Sequence, residues 1–137
     1  MKGVPEMRIV AALAALLVAT SAFAEQQWIS PEEFAQKVDG QATKIFTQAG
    51  DFYGTEYYLP KQRTIWQRAG DTQCYRGTWT ARDGLVCFRY EGGFGGCQRY
   101  YMSADTLITV DWVGGVQTAT SYSLTVVNEA PPACNEN

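Results

Sequence analysis

After Gly40, turn-forming residues recur at intervals of about 9 to 12 residues, and this spacing constrains the fold more than any other feature of the chain. Between the turns, apolar and polar residues alternate with a period of two, as in β-strands that bury one face. Short, evenly spaced strands of this kind favour an antiparallel meander, either a small barrel or a highly twisted sheet. The sequence predicts about eight strands, at 43–47, 52–59, 64–69, 73–80, 85–91, 97–103, 106–113 and 116–127.

One short helix is predicted before the first strand. Ser30, Pro31 and Glu33 have the spacing of a capping box, with Ser30 at the N-cap and Pro31 in the first turn. Gly40 is placed to end the helix in a left-handed conformation. A helix of about two and a half turns is too short to persist alone, so it must pack on the sheet. The predicted fold class is therefore mainly β, with one short N-terminal helix.

The alternation is clearest in the last two predicted strands. In 106–113, the apolar residues Ile108, Val110 and Trp112 are expected on the buried face, and Thr109 and Asp111 on the wet face. In 116–127, the residues expected on the buried face are Val116, Tyr122, Leu124 and Val126.

Residues 1–24 have the pattern of a secretory signal peptide. Lys2 and Arg8 supply a positive start, an apolar run of eleven residues follows at 9–19, and Ala22 and Ala24 form a small-residue cleavage pattern. An eleven-residue run is too short to span a bilayer, which needs about 20 residues. We therefore expect a single domain at 25–137 in the bacterial periplasm or outside the cell, with no membrane span after cleavage.

Charge and composition exclude several function classes. The whole chain has a net charge of −3, and residues 25–137 have −4, since nine Lys and Arg face thirteen Asp and Glu. A negative domain of this kind disfavours nucleic acid as a partner. The chain has no His, which excludes Ser-His-Asp and Cys-His catalysis and every metal site built on imidazole.

The four cysteines predict two disulfides. Cys74, Cys87, Cys97 and Cys134 are too widely spaced for a zinc site, and an exported chain matures in an oxidising compartment. A tight loop centred on Gly92 puts Cys87 opposite Cys97, which favours a cross-strand bond and leaves Cys74 for Cys134. Four cysteines allow three connectivities, however, and the sequence alone does not choose among them.

Three neighbouring predicted strands each carry Cys-x-Arg. Because residues i and i+2 share a face, Arg76, Arg89 and Arg99 are expected with the cysteines on the outer face. A turn centred between residues 82 and 83 would put Arg76 opposite Arg89, and like charges in that arrangement need an anion nearby. The three arginines are therefore a candidate anion site. In the alternative interpretation, the anions are the protein's own carboxylates: Glu56, Glu91 and Asp111.

Aromatic residues suggest a second kind of contact. Four Trp and eight Tyr in so short a chain fit either core packing or the binding of a sugar or an apolar ligand. Tyr57 and Tyr58 are adjacent and must point to opposite faces, so Tyr57 is a candidate surface residue, as is Phe94 in the loop near Gly92. Within strand 73–80, Gly77 either leaves room for a large ring, which Trp79 on the same face can fill, or bends the sheet at a barrel corner.

Catalysis has little support in the sequence. Glu32, Glu33, Glu56 and Asp111 could in principle serve acid–base chemistry, but nothing in the pattern brings two of them into one cleft. Glu32 and Glu33 are explained by the start of the helix. A domain of this size also has little room for a deep pocket. We therefore expect no catalytic residues, no metal and no cofactor.

One stretch resembles a family. The segments GTEYYL at 54–59, CYRGTW at 74–79 and VCFRY at 86–90, followed by Cys97, resemble small exported proteobacterial proteins of unknown function that share C-x-x-G-x-W, C-F-x-Y and a further Cys. Many such members carry Trp after the last Cys of this block, where this chain has Gln98. The resemblance implies a periplasmic or secreted location and brings no catalytic residue.

The sequence is thus read as an exported, non-catalytic binding or cell-envelope-associated protein whose partner is a small anion, a sugar or another protein. A small-ligand carrier of lipocalin-like shape is one alternative. A secreted inhibitor of a protein such as a protease or lysozyme, acting through the loop 91–96, is another.

Overall fold

Residues 26–134 form an eight-stranded antiparallel barrel with one short helix across one end. A computed structural model describes Gly3 and residues 26–134, so the predicted signal peptide lies outside the described residues. The helix α1 spans Pro31–Val38. The strands are β1 Ala42–Thr47, β2 Phe52–Leu59, β3 Arg63–Arg68, β4 Tyr75–Arg82, β5 Leu85–Tyr90, β6 Gly95–Ser103, β7 Thr106–Val113 and β8 Val116–Val127.

Each strand pairs with its neighbours in sequence, and β1 also pairs with β8, which closes the barrel. This confirms the predicted meander and settles the choice between a barrel and an open sheet. Because the strands alternate in direction, the turns fall into two sets at opposite ends. The turns after β2, β4 and β6 lie at the end where α1 leads into β1, which we call the closed end. The turns after β1, β3, β5 and β7 form the open end.

The helix begins and ends where the sequence predicts. The backbone N–H of Glu33 donates to the Ser30 hydroxyl over 3.1 Å, and Gly40 adopts a φ of 68° just after the helix. Phe34 is fully buried and stacks on Tyr100, with ring centroids 3.9 Å apart, and Val38 is also buried. Their partners in the core are Tyr58, Val86, Leu107 and Leu124. The helix therefore plugs the closed end of the barrel.

One predicted register is wrong. Thr78, not Arg76, lies opposite Arg89, and Arg76 lies opposite Ile65 on the other neighbouring strand. The reason is the turn between β4 and β5, in which Asp83 and Gly84 both have positive φ, at 51° and 77°. That pattern is a tight two-residue hairpin centred one residue later than predicted, which shifts the pairing by two.

The predicted faces of β7 are also reversed. Thr109 is 1% exposed and, with Asp111, points into the barrel, whereas Trp112 packs outside against Trp28. The outer face of β7 is covered by the segment that precedes α1, which the hydrogen bond from the Ile29 N–H to the Tyr100 carbonyl fastens to β6. In β8, Leu124 faces inward as predicted, but Val116 is 67% exposed because it lies in the hairpin tip at the open end.

The four cysteines form two disulfides, Cys87–Cys97 between β5 and β6 and Cys74–Cys134 from the C-terminal segment to the start of β4. This is the pairing that the register around Gly92 favours. The second bond holds the tail against the outside of the barrel, where Ala42, Tyr57 and Ile65 form a small separate apolar cluster. Bonds of this kind are typical of an oxidising compartment.

Candidate functional site

A cavity of about 300 Å³ occupies the open half of the barrel. Its lining comes from inward-facing residues of seven of the eight strands and from the loop between β5 and β6, which supplies Phe94. Small-molecule sites in proteins start at about this size. The expectation that so short a domain has little room for a deep pocket is therefore wrong. The residues that form most of its wall are Tyr53, Glu56, Tyr58, Trp66, Phe88, Tyr90, Gln98, Tyr100, Thr109, Asp111, Tyr122 and Leu124.

Two glycines inside strands set the position of two wall rings. The ring of Trp66 lies across Gly54, and the ring of Tyr90 lies across Gly77, where an added Cβ would come within 2.8 Å of the Arg89 carbonyl oxygen as well as striking the ring. Gly77 therefore makes room for a ring as the sequence suggests, but for Tyr90 and not Trp79. Trp79 instead packs toward Phe34 at the closed end.

A third glycine, Gly96, faces the same cavity with nothing close to it. It pairs with the inward-facing Phe88, and a Cβ built on it meets no atom within 4 Å. The cavity wall is thus bare of side chain at this point, and part of the open volume exists because residue 96 is glycine.

Glu56 is a buried carboxyl in the cavity wall. It is 2% exposed and accepts a hydrogen bond of 2.8 Å from the Tyr90 hydroxyl. Burial raises the pKa of Glu56 to about 8, and the hydrogen bond from Tyr90 offsets only part of that rise. Glu56 is therefore mostly protonated at neutral pH. It does not belong to an outer carboxylate ladder, as one interpretation of the sequence has it.

A second polar group runs from β6 to β7. The Tyr100 hydroxyl donates to Gln98 Oε1 over 2.9 Å, and Gln98 Nε2 donates to Asp111 Oδ1 over 2.8 Å. Burial raises the pKa of Tyr100 far above its usual range, and Glu56 and Asp111 raise it further by their negative charge. Asp111 also contributes to the raised pKa of Tyr122, after burial. The cavity thus brings two carboxyl groups into one cleft, which the sequence pattern does not indicate.

The cavity is lined by acidic side chains and not by basic ones in the part of the chain that the structure describes. Glu56 and Asp111 line it, and its lining includes no Lys or Arg from residues 26–134. At its entrance lies the exposed Arg68, whose guanidinium is 5.6 Å from the Tyr53 ring centroid. The ion pair that the structure describes, Lys44 with Glu129 at 3.4 Å, lies on the outer surface. Because Glu56 is mostly protonated at neutral pH, the negative bias of the interior comes from the Asp111 carboxylate.

The three arginines of the predicted anion site occupy different surroundings. Arg76 donates to the Cys134 carbonyl over 3.5 Å, and Arg89 is exposed opposite Thr78 and Gly95. The guanidinium of Arg99 lies between two tryptophan rings, 5.2 Å from Trp28 and 5.4 Å from Trp112. The opposed pair that suggested an anion does not form, so anion binding by these arginines stays a prediction without that support.

The two candidate surface aromatics differ from expectation in opposite ways. Tyr57 is only 4% exposed, because the C-terminal tail covers it and its hydroxyl donates to Glu129 over 3.3 Å. Its assignment as a surface contact is wrong. Phe94 is 42% exposed but stacks on Tyr90, 4.9 Å away, and meets Tyr75 edge-on at 5.1 Å. Phe94 is therefore an exposed rim residue at the cavity entrance.

The described residues contain neither a candidate metal cluster nor a candidate membrane-spanning helix. In residues 26–134, no three Asp, Glu or Cys side chains are grouped so that they could hold a metal ion. Within the same part of the chain, none of the helices has the length and apolar character to cross a bilayer.

Comparison with known proteins does not identify a relative. No protein-family model, no curated protein and no solved structure matches the chain. The resemblance to small exported proteobacterial proteins therefore stays a prediction, and the function has to be argued from the cavity itself.

Proposed function

We propose that the protein is a non-catalytic carrier that binds a small organic molecule in the open half of its barrel, in the periplasm or outside the cell. The observation that supports this most is the cavity of about 300 Å³, which opens at one end and is closed by α1 at the other. A solid core would bury more apolar area, so a hollow in so small a domain has a cost in stability.

The wall chemistry fits ligand binding. Aromatic residues make up nine of the nineteen that line the cavity, and a few polar groups, among them Gln98 and Asp111, are placed to fix the orientation of a ligand. The rings form a connected wall near the entrance, where Tyr53 stacks on Tyr122 at 5.1 Å and leans on Trp66 at 5.4 Å. Two disulfides support an extracytoplasmic location for the carrier.

The proposal is tested with indole, a small neutral aromatic probe, by saturation-transfer NMR. The wild type and a Gly96→Phe variant are compared, because residue 96 faces the cavity with open space around it. Thr125→Phe is the matched control, since it adds the same ring to an exposed position on β8.

We expect saturation to be transferred to indole from the wild type and from the Thr125→Phe control. The Gly96→Phe variant should bind indole at least tenfold more weakly than the wild type. No transfer to the wild type, or equal transfer to all three proteins, contradicts the proposal. The alternatives of a cell-envelope module and a secreted inhibitor stay predictions. The loop 91–96 lends the inhibitor little support, since the Phe94 ring is engaged with Tyr90 and Tyr75.

A further inference from the structure

The cavity combines aromatic faces with carboxyl groups, and this combination suggests the charge of its ligand. Aromatic rings present negative faces that attract organic cations within about 6 Å of the ring centroid. Asp111 adds a carboxylate to the same wall, whereas Glu56 is mostly protonated at neutral pH and adds only a neutral carboxyl group. The lining residues of the described chain include no cation to neutralise Asp111. An anionic ligand would meet repulsion from both kinds of group.

We propose that the ligand is an organic ammonium ion, with its charged head beside the Asp111 carboxylate and its apolar body against Tyr53 and Trp66. This inference rests on the proposed function and narrows it to one ligand class. Asp111 is the group best placed to receive the head, because Gln98 holds it in position and it lies near Tyr122 in the ring-lined entrance half.

One cation–π contact of the kind proposed for the ligand is already present at the entrance. The guanidinium of Arg68 lies over the Tyr53 ring at 5.6 Å, so a cation of the protein itself occupies one face of the entrance wall. Arg68 is exposed and is not part of the cavity lining. In this account, Arg68 competes with a cationic ligand for that ring, whereas it would attract an anionic ligand to the entrance.

The test uses three probes that share a phenyl ring and a short chain: phenethylammonium, the neutral 2-phenylethanol and the anion 3-phenylpropanoate. Their dissociation constants are measured by isothermal titration calorimetry at pH 7 and constant ionic strength. We expect phenethylammonium to bind at least tenfold more tightly than 2-phenylethanol, and 3-phenylpropanoate to bind more weakly than either.

Two variants locate the charge. Asp111→Asn is expected to weaken phenethylammonium at least tenfold and to change 2-phenylethanol by less than threefold. Asp105→Asn is the matched control, because Asp105 is exposed in the turn at the closed end, and it should change neither probe. Arg68→Gln should leave the cation at least as tightly bound as in the wild type.

The possible contrary results distinguish an error in the ammonium assignment from an error in the carrier proposal. Equal or tighter binding of the alcohol or the carboxylate, or loss of binding in Arg68→Gln, overturns the ammonium assignment and leaves the carrier proposal standing. Binding of none of the three probes, together with no transfer to indole, overturns the carrier proposal and the ammonium assignment with it. An equal loss for the cation and the alcohol in Asp111→Asn assigns Asp111 a structural role and overturns its role as the ammonium partner.

Discussion

The same strands build the two halves of the barrel interior, but one half is a packed core and the other is hollow. Toward the closed end, Phe34 and Val38 of α1 fill the space between the strands, and the buried residues there are mostly apolar. Toward the open end, no element of residues 26–134 plugs the barrel, and aromatic rings and carboxyl groups surround a cavity. The alternation of the strands sets which residues face inward, but the helix decides which half becomes a core and which stays hollow.

The difference assigns stability to one half and binding to the other. Side chains of the closed half should therefore tolerate truncation poorly, whereas entrance residues should tolerate it well. Three measurements test this difference between the two halves, and they are given in order of decreasing size of effect.

The largest effect is expected for Phe34→Ala. Phe34 has no exposed surface and contacts Tyr58, Trp79 and Tyr100, so its removal leaves a void and should lower the free energy of unfolding by about 4 kcal/mol. Tyr53→Ala at the partly exposed entrance is the matched change and should cost less than about 1 kcal/mol. Urea unfolding measures both, and similar losses would show that the two halves are equally packed.

The second effect concerns pH and Glu56, which lies between the two halves. Its folded-state pKa is raised from 4.5 to about 8, so the folded protein binds this proton more tightly than the unfolded chain does. Stability from this group is fully present below about pH 4.5 and is lost as pH rises toward 8. The loss between pH 5.5 and 8 should be about 3 kcal/mol. The groups that face Glu56 are Tyr58, Tyr90, Tyr100 and Thr64, and the pKa values of the three tyrosines are raised, so none of them titrates in this window.

Glu56→Gln should remove this slope, because a neutral amide does not titrate and can still accept from the Tyr90 hydroxyl. Glu91→Gln on the exposed loop at the open end is the control and should keep the wild-type slope. Unfolding curves in urea at four pH values test both variants. A wild type whose stability is flat between pH 5.5 and 8 would place Glu56 in contact with water.

The smallest of the three effects compares two glycines on inward-facing strand positions. Gly77→Val forces its side chain into the Tyr90 ring and the Arg89 carbonyl and should cost about 2 kcal/mol. Gly96→Val meets open space and should change the free energy of unfolding by less than about 0.5 kcal/mol. Thermal unfolding of the two variants and the wild type, measured side by side, tests both expected changes in stability. A cost at Gly96 equal to that at Gly77 would mean that the cavity is smaller than described.

The elements of this fold are strongly encoded in local sequence. The capping residues Ser30 and Glu33 place the helix, and turn residues place all eight strands within a few positions of their observed bounds. Local signals also give the Cys87–Cys97 pairing, because a tight loop fixes the register of its own hairpin. The predicted pairing of β4 with β5 differs from the observed pairing by two residues, because the sequence does not show which pair of residues around Asp83 takes positive φ.

The cavity was not predictable in the same way. Alternation separates two faces of a strand but does not say which one is inside a hollow barrel, where polar residues such as Thr109 and Asp111 can face inward. For a related reason, the sequence predicts that Tyr57 is exposed. Alternation puts Tyr57 on an outer face but does not show that the distant C-terminal tail covers that face. Glycine inside a strand is the best local signal of this wall, since Gly54 marks the ring of Trp66 and Gly77 marks the ring of Tyr90.

The most direct test of the central claim is a crystal structure of the protein with phenethylammonium bound. The account predicts the probe inside the open half of the barrel, with its nitrogen within hydrogen-bonding distance of an Asp111 carboxylate oxygen and its ring against Tyr53 or Trp66. A cavity filled by inward collapse of these side chains, or a probe bound only on the outer surface of the barrel, would contradict the account.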